Sequence, residues 1–251
     1  MKATKTNYVY KSEEGRKAVE NHYEGILAVM LPAGGERLRV MTPFGETHVL
    51  AFGKEGNPAL VMLHGSISNS ACWLGCVTDF ARHFRVYCAD IPGEPGLSEP
   101  RRMSPAGDGP VLWLSALLDG LRAERAALVG MSLGAFYALV FATTHPHRVT
   151  ALSLFVPSGL APQRADFIPK ALFCLLLGKP GRNLMNRIVY RGAKVPEEAL
   201  AFQDLACRHF IPLTEPIPVL DDGTLARLAM PIQYFGGEFD ALLDTKASAE
   251  R

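Results

Sequence analysis

Predominantly apolar runs of strand length recur in this chain at residues 59–63, 84–90, 128–131 and 149–156. Continuous rather than alternating hydrophobicity marks strands buried on both faces. Apolar stretches of helical length lie between them, at 111–121 and 135–142. This strand–helix alternation over residues 59–159 predicts a parallel sheet covered by helices. Upstream, Ser12 followed by Glu13 and Glu14 reads as a helix start, and Val19, Tyr23, Ile26, Leu27 and Met30 share one face of the helix it opens, over 12–30. Residues 37–41 and 47–52 flank a turn built on Pro43, Phe44, Gly45 and Glu46, which suggests an antiparallel hairpin at a sheet edge. His48 alternates there with apolar neighbours and is expected at the surface.

The alternation stops over 160–228. That segment is broken by Pro162, Pro169, Pro180, Pro196, Pro212, Pro216 and Pro218, and its apolar patches at 167–177 and 199–210 have helical lengths. A surface excursion would not need Phe167, Leu172, Phe173, Leu175, Leu176, Phe202 and Phe210, so a covering role is the better reading. The sheet pattern returns at 231–235. The expected organisation is a core over 1–159, a helical insertion over 160–228, and the core resumed over 229–251.

Composition narrows the function classes. A chain of 251 residues that is 48% hydrophobic can bury a large core as one α/β domain with an insertion. The net charge of +1 is spread without a Lys/Arg block, which argues against nucleic acid as a partner, and Lys170, Lys179, Arg182 and Arg187 are expected on a solvated face. Lys2 and Lys5 are followed by no apolar leader, and no run approaches the ~20 residues of a membrane span, so a cytoplasmic protein without membrane contact is expected. Cys72, Cys76, Cys88, Cys174 and Cys207 form an odd set without a CxxC pair; buried free thiols, and no metal site, are expected.

The candidate chemistry centres on Gly130-Met131-Ser132-Leu133-Gly134, a G-x-S-x-G between a strand and a helix. A serine at the tip of so tight a turn leaves no room for Cβ atoms on its neighbours, hence the glycines. Read without its flanks, the motif could be an ordinary buried turn. Three further stretches resemble the α/β-hydrolase superfamily. His64-Gly65-Ser66 at the end of a strand resembles its oxyanion strand; 90–98, from Asp90 through Gly93 and Gly96 to Ser98, resembles its D-x-x-G-x-G-x-S loop; Gly237-Glu238-Phe239-Asp240 resembles its acid position. One extra residue between Gly93 and Gly96 brings the loop closer to certain bacterial carboxylesterases than to haloalkane dehalogenases.

The resemblance implies an α/β-hydrolase fold: a mostly parallel, doubly wound sheet, helices on both faces, and a helical cap. It further implies Ser132 as nucleophile, the amides of Ser66 and Leu133 as oxyanion donors, and Asp240 as the acid, ahead of Glu238 and Asp244. His64 is implied as a brace, and Gly65, Trp73, Met131 and His209 as pocket or loop residues. No cofactor is implied.

The superfamily's order is nucleophile, acid, histidine, and only residues 241–251 follow Asp240. A last strand, a histidine loop and a last helix, roughly 20 to 30 residues at ordinary lengths, are therefore expected to be missing. His145 and His147 stand about 20 Å along the helix from Ser132 at ~1.5 Å per residue. His83 falls at the opposite sheet edge, His22 and His48 in the N-terminal elements, and His209 alone could swing over Ser132. Two classes stay open: a serine esterase acting on a small ester but impaired in this chain, and a non-catalytic protein of the same fold that binds a ligand or partner. Cofactor-free haloperoxidases, C–C hydrolases and lyases share the motifs. An uncovered sheet edge is expected to invite a homodimer.

Overall fold

The continuous apolar runs form the inner strands of a seven-stranded sheet. The computed structural model describes residues 9–164, 167–191 and 193–251, without the side chains of residues 167, 168, 171, 172, 175, 179 and 182. The expectations for Phe167, Leu172, Leu175, Lys179 and Arg182 thus lie outside the described residues. The strands are β1 (Glu36–Thr42), β2 (Gly45–Phe52), β3 (Ala59–Leu63), β4 (Arg85–Ala89), β5 (Ala126–Met131), β6 (Val149–Phe155) and β7 (Ile232–Phe235), in spatial order β1-β2-β4-β3-β5-β6-β7. β2 pairs antiparallel with β1 and β4; all other pairings are parallel.

Helices cover both faces. α1 (Glu13–Met30) begins where Ser12 Oγ accepts the Gly15 amide at 3.0 Å, with Glu13 and Glu14 complementing the positive end of the helix dipole. Its Tyr23 and Leu27 pack with Leu50, Leu60, Met62 and Val86, beside a 3₁₀ turn (Ser70–Trp73) and α2 (Val77–Phe80). Met30, expected on that buried face, is half exposed at the helix end. On the other face α3 (Gly109–Gly120) and α4 (Leu133–Thr144) pack against Val49, Ala51, Val61, Leu63 and Leu128. α4 is apolar all round because it is enclosed on every side.

Between β6 and β7 lie α5 (Phe167–Leu176), α6 (Lys179–Tyr190), α7 (Glu197–His209) and α8 (Asp222–Leu225); α9 (Thr245–Ala249) follows β7. The apolar residues of this insertion divide. Phe202, Ala206 and Phe210 are buried against Val9, Tyr10 and Val19, so α7 sits on α1, whereas Phe173 and Leu176 are 57% and 79% exposed. Lys170 and Arg187 lie on the solvated face expected of them.

Two expectations are corrected. His48 is fully buried, because β2 lies between β1 and β4 with both faces covered, and an alternating strand pattern signals exposure only when one face is open. Its Nδ1 stands 3.0 Å from Asp90 Oδ2. The described cysteines are free thiols, but only Cys88 and Cys174 are buried, with Cys72 and Cys207 exposed. Among the described residues no helix is long and apolar enough to cross a membrane.

Candidate active site

β5 runs straight into a sharp turn at Ser132, whose φ of 49° and ψ of −108° lie outside the regions favoured by L-residues. The flanking glycines follow from sterics. A Cβ at position 134 would sit 2.4 Å from the Leu63 carbonyl oxygen and 2.5 Å from that of His64, and one at 130 would sit 2.5 Å from the Ala135 backbone. Ser132 N–H donates to Phe155 O at 3.0 Å, and its own carbonyl accepts the Phe136 amide at 3.0 Å, which starts α4. The Ser132 hydroxyl is partly exposed and meets no hydrogen-bond partner among the described residues.

The loop after β3 lies directly against this turn, a Cβ built on Gly65 falling 3.5 Å from that of Ser132. The Ser66 and Leu133 amides have no acceptor among the described residues. His64 is fully buried behind them. Its Nε2 accepts the Ile91 amide at 2.9 Å, so the ring proton is on Nδ1, which donates to Gly65 O at 2.8 Å. Burial pulls its pKa below the usual value and keeps the ring neutral, and with both nitrogens occupied it braces the loop.

Two buried carboxylates join this loop to residues 90–98. Asp90 accepts from the Ser70 amide at 2.8 Å, the Leu97 amide at 2.9 Å and Tyr23 Oη at 3.2 Å, and it faces His48 Nδ1. Burial would raise its pKa, but the hydrogen bond and charge of His48, with the amide bonds, outweigh that and hold it down to about 2. Glu94, 4% exposed, accepts the Ile67 amide at 2.7 Å. Burial pushes its pKa up to about 7, and the Ile67 bond and Arg102 only partly offset this. Sequence reasoning missed Glu94. The sole signal was its position as part of the extra residue between two glycines.

Backbone strain gathers here. Ile67, Ser132 and Val156, just past the ends of the adjacent strands β3, β5 and β6, have φ of 55°, 49° and 42°. Non-glycine residues in such conformations cost about 1–3 kcal/mol each and cluster at functional sites. An aromatic row lies alongside: Trp73 meets Phe155 edge-on at 6.5 Å, and Phe155 stacks on Phe235 at 4.5 Å. Trp73 Nε1 is buried without a partner among the described residues. Met131, half-buried, precedes the serine.

The remaining expected residues lie further off. Asp240 sits in the loop after β7, its Oδ1 accepting the Leu242 and Leu243 amides at 2.7 and 2.8 Å. Phe235 pairs with Phe155 and Phe155 with Met131, so the end of β7 is two strand spacings, about 10 Å, from the turn. His209 is turned onto α1, where a Cβ at Gly15 would fall 2.7 Å from its Nδ1. Among the described residues no imidazole hydrogen-bonds to Ser132 or Asp240.

The sheet order, the strained serine turn and the loop packed on it are the architecture of a hydrolase, and this chain belongs to the alpha/beta hydrolase family, whose model matches residues 60–244. It resembles carboxylesterases in particular. The uncharacterized carboxylesterase nap of Bacillus subtilis (strain 168) is 30% identical over 253 residues, covering 96% of this chain and 82% of that protein. The structure of naproxen esterase (carboxylesterase NP) from Bacillus subtilis superposes with a TM-score of 0.83 at 26% identity, over 96% of this chain and 87% of that one. The carboxylesterase CesB (YbfK) from Bacillus subtilis gives a TM-score of 0.81 at 25% identity, over 95% and 86%.

Proposed function

We propose that this protein is a serine carboxylesterase acting on a small ester. Ser132 Oγ attacks the ester carbonyl, the amides of Ser66 and Leu133 receive the developing oxyanion, and Asp240 orients an imidazole that shuttles the proton. One observation carries the reading. A partly exposed serine stands at a φ of 49° beside two amides that no described acceptor occupies. Two donors placed before the reaction stabilise the oxyanion without reorganisation, and removing one such donor typically costs about 10² to 10³ in kcat. Residues 160–228 act as a cap in this reading, supported by the contact of Ile67 with the cluster that holds Phe202 and Phe210.

The lack of an imidazole at Ser132 among the described residues favours a second reading, a ligand-binding protein that keeps the hydrolase turn. The same lack sets the expected rate. Loss of the histidine from a triad of this type costs about 10⁶ in kcat, or about 8 kcal/mol of barrier, and leaves roughly 10³ to 10⁴ over water. The chain of 251 residues should therefore hydrolyse p-nitrophenyl butyrate slowly. Free imidazole in the buffer should raise the Ser132-dependent part of that rate. A fluorophosphonate probe should label the protein at Ser132, and Ser132→Ala should abolish both labelling and the imidazole effect. Labelling that survives Ser132→Ala would remove this serine from the mechanism, and no labelling of the parent would favour the binding protein.

A further inference from the structure

We propose that Glu94 is a positioning residue for the oxyanion loop: by holding the Ile67 amide it fixes the Ser66–Ile67 peptide so that Ser66 N–H stays turned towards Ser132. This rests on the esterase reading above and adds a residue to it. Three consecutive residues carry the argument. Gly65 packs on Ser132, Ser66 has an amide with no described acceptor, and Ile67 is held at a φ of 55° with its N–H on Glu94 Oε2 at 2.7 Å. A β-branched residue does not rest in the left-handed region by its own preference, so something must hold it there. The short bond to the Glu94 carboxylate is the contact that does so.

The placement of Glu94 suits that task better than a packing task. The loop over 64–70 is already tied to 90–98 by Ile91 on His64, Asn69 Nδ2 on the Pro95 carbonyl and Ser70 on Asp90. The Glu94 bond is the one that falls on the residue next to the oxyanion amide. Its carboxyl is also an uneasy core group. Burial raises its pKa to about 7, and Arg102, whose Nε is itself buried without a partner among the described residues, offsets this only in part. Tyr10 and Tyr137 also face it, and both phenols are raised well above their usual range by burial, so they stay neutral. In the adjoining loops Asp90 stays ionised and His64 neutral near neutral pH. Burial thus brings the titration of the Glu94 carboxyl near neutrality, at about pH 7.

The test uses the fluorophosphonate reaction of the full chain, resolved into the inactivation rate constant and the probe's binding constant, with Ser132→Ala as blank. Glu94→Leu, which has no acceptor, should lower the inactivation rate constant about tenfold and leave probe binding within about twofold, part of the 10² to 10³ a whole donor carries. Glu94→Gln, whose amide oxygen still accepts the Ile67 N–H, should stay within about threefold of the parent. Equal rates in the parent and Glu94→Leu, or a loss in Glu94→Gln as large as in Glu94→Leu, would overturn the proposal. If Glu94→Leu does not fold, hydrogen exchange of the Ile67 amide decides: it should be protected in the parent and in Glu94→Gln, and an amide that exchanges freely in the parent overturns the clamp. A parent that is not labelled at Ser132 overturns the esterase reading and this inference with it, whereas a labelled parent with an unaffected Glu94→Leu overturns this inference alone.

Discussion

The two buried carboxylates of the loop over 90–98 act on stability in opposite directions with pH. Glu94 has a folded pKa of about 7 against an ordinary 4.5, so the folded chain holds a proton that the unfolded chain has released across that window. Stability from this group is therefore full below pH 4.5, falls as pH rises, and is lost above 7, a change of about 3 kcal/mol at 1.36 kcal/mol per pKa unit. Glu94→Gln should accordingly gain stability relative to the parent between urea denaturations at pH 5 and pH 8; a constant difference would contradict the buried-carboxyl account. Asp90 runs the other way. Held down to about 2, it contributes stability that is present above its ordinary 3.8 and is lost as pH falls through 2. Asp90→Asn leaves His48 and two amides poorly matched and should cost roughly 3–5 kcal/mol, read as a drop in thermal midpoint at pH 7. Neither residue's burial could be read from the sequence. Asp90 was visible only as part of a motif and Glu94 as a polar loop residue, because their partners His48, Tyr23 and Ile67 lie 42, 67 and 27 positions away.

Elements were legible where one local signal sufficed. The continuous runs gave β3, β5 and β6, the Ser12 cap gave the start of α1, and the turn over 43–46 gave the β1–β2 hairpin. Packing partners were less so: that α7 lies on α1 depends on Phe202 and Phe210 meeting Val9, Tyr10 and Val19 across most of the chain, which no periodicity announces. The turn at Ser132 was legible because its glycines have one steric reason. That reason makes a prediction for the contact between α4 and β3. Gly134→Ala would drive a Cβ into the Leu63 and His64 carbonyl oxygens, both backbone atoms that cannot rotate away. The helix must lift from the strand, which should cost about 1–3 kcal/mol by the usual scale of overpacking and also slow the fluorophosphonate reaction. A variant with parent stability and parent labelling would mean that α4 and β3 are less tightly coupled than this geometry requires.

At the scale of the whole molecule, the two edges of the sheet are unlike. β1 carries Glu36, Arg37 and Arg39, charges of the kind that keep an edge strand from pairing with another chain. β7 carries Ile232, Gln233, Tyr234 and Phe235, none charged, and pairs only with β6 among the described residues. Ile232 and Phe235 are 43% and 46% exposed. Next to them a groove of about 770 Å³ opens, lined by Leu139, Leu154, Leu160, Leu225, Ile232 and Tyr234 on one side and by Asp222, Glu250 and Arg251 on the other. An uncharged edge strand beside a groove that is apolar along one wall offers a second chain both backbone hydrogen bonds and surface to bury. Self-association through β7 is therefore expected, increasing with concentration, and light scattering behind size exclusion should show it. Gln233→Lys places a charge on that edge without touching Ser132, and it should return the protein to monomer. Its cost to folding should be small, since the Gln233 side chain is exposed and, among the described residues, its Oε1 accepts only from Ser153 Oγ, at 3.0 Å. An assembly that persists unchanged in Gln233→Lys would place the contact elsewhere, with the exposed Phe173 and Leu176 of α5 the next surface to substitute.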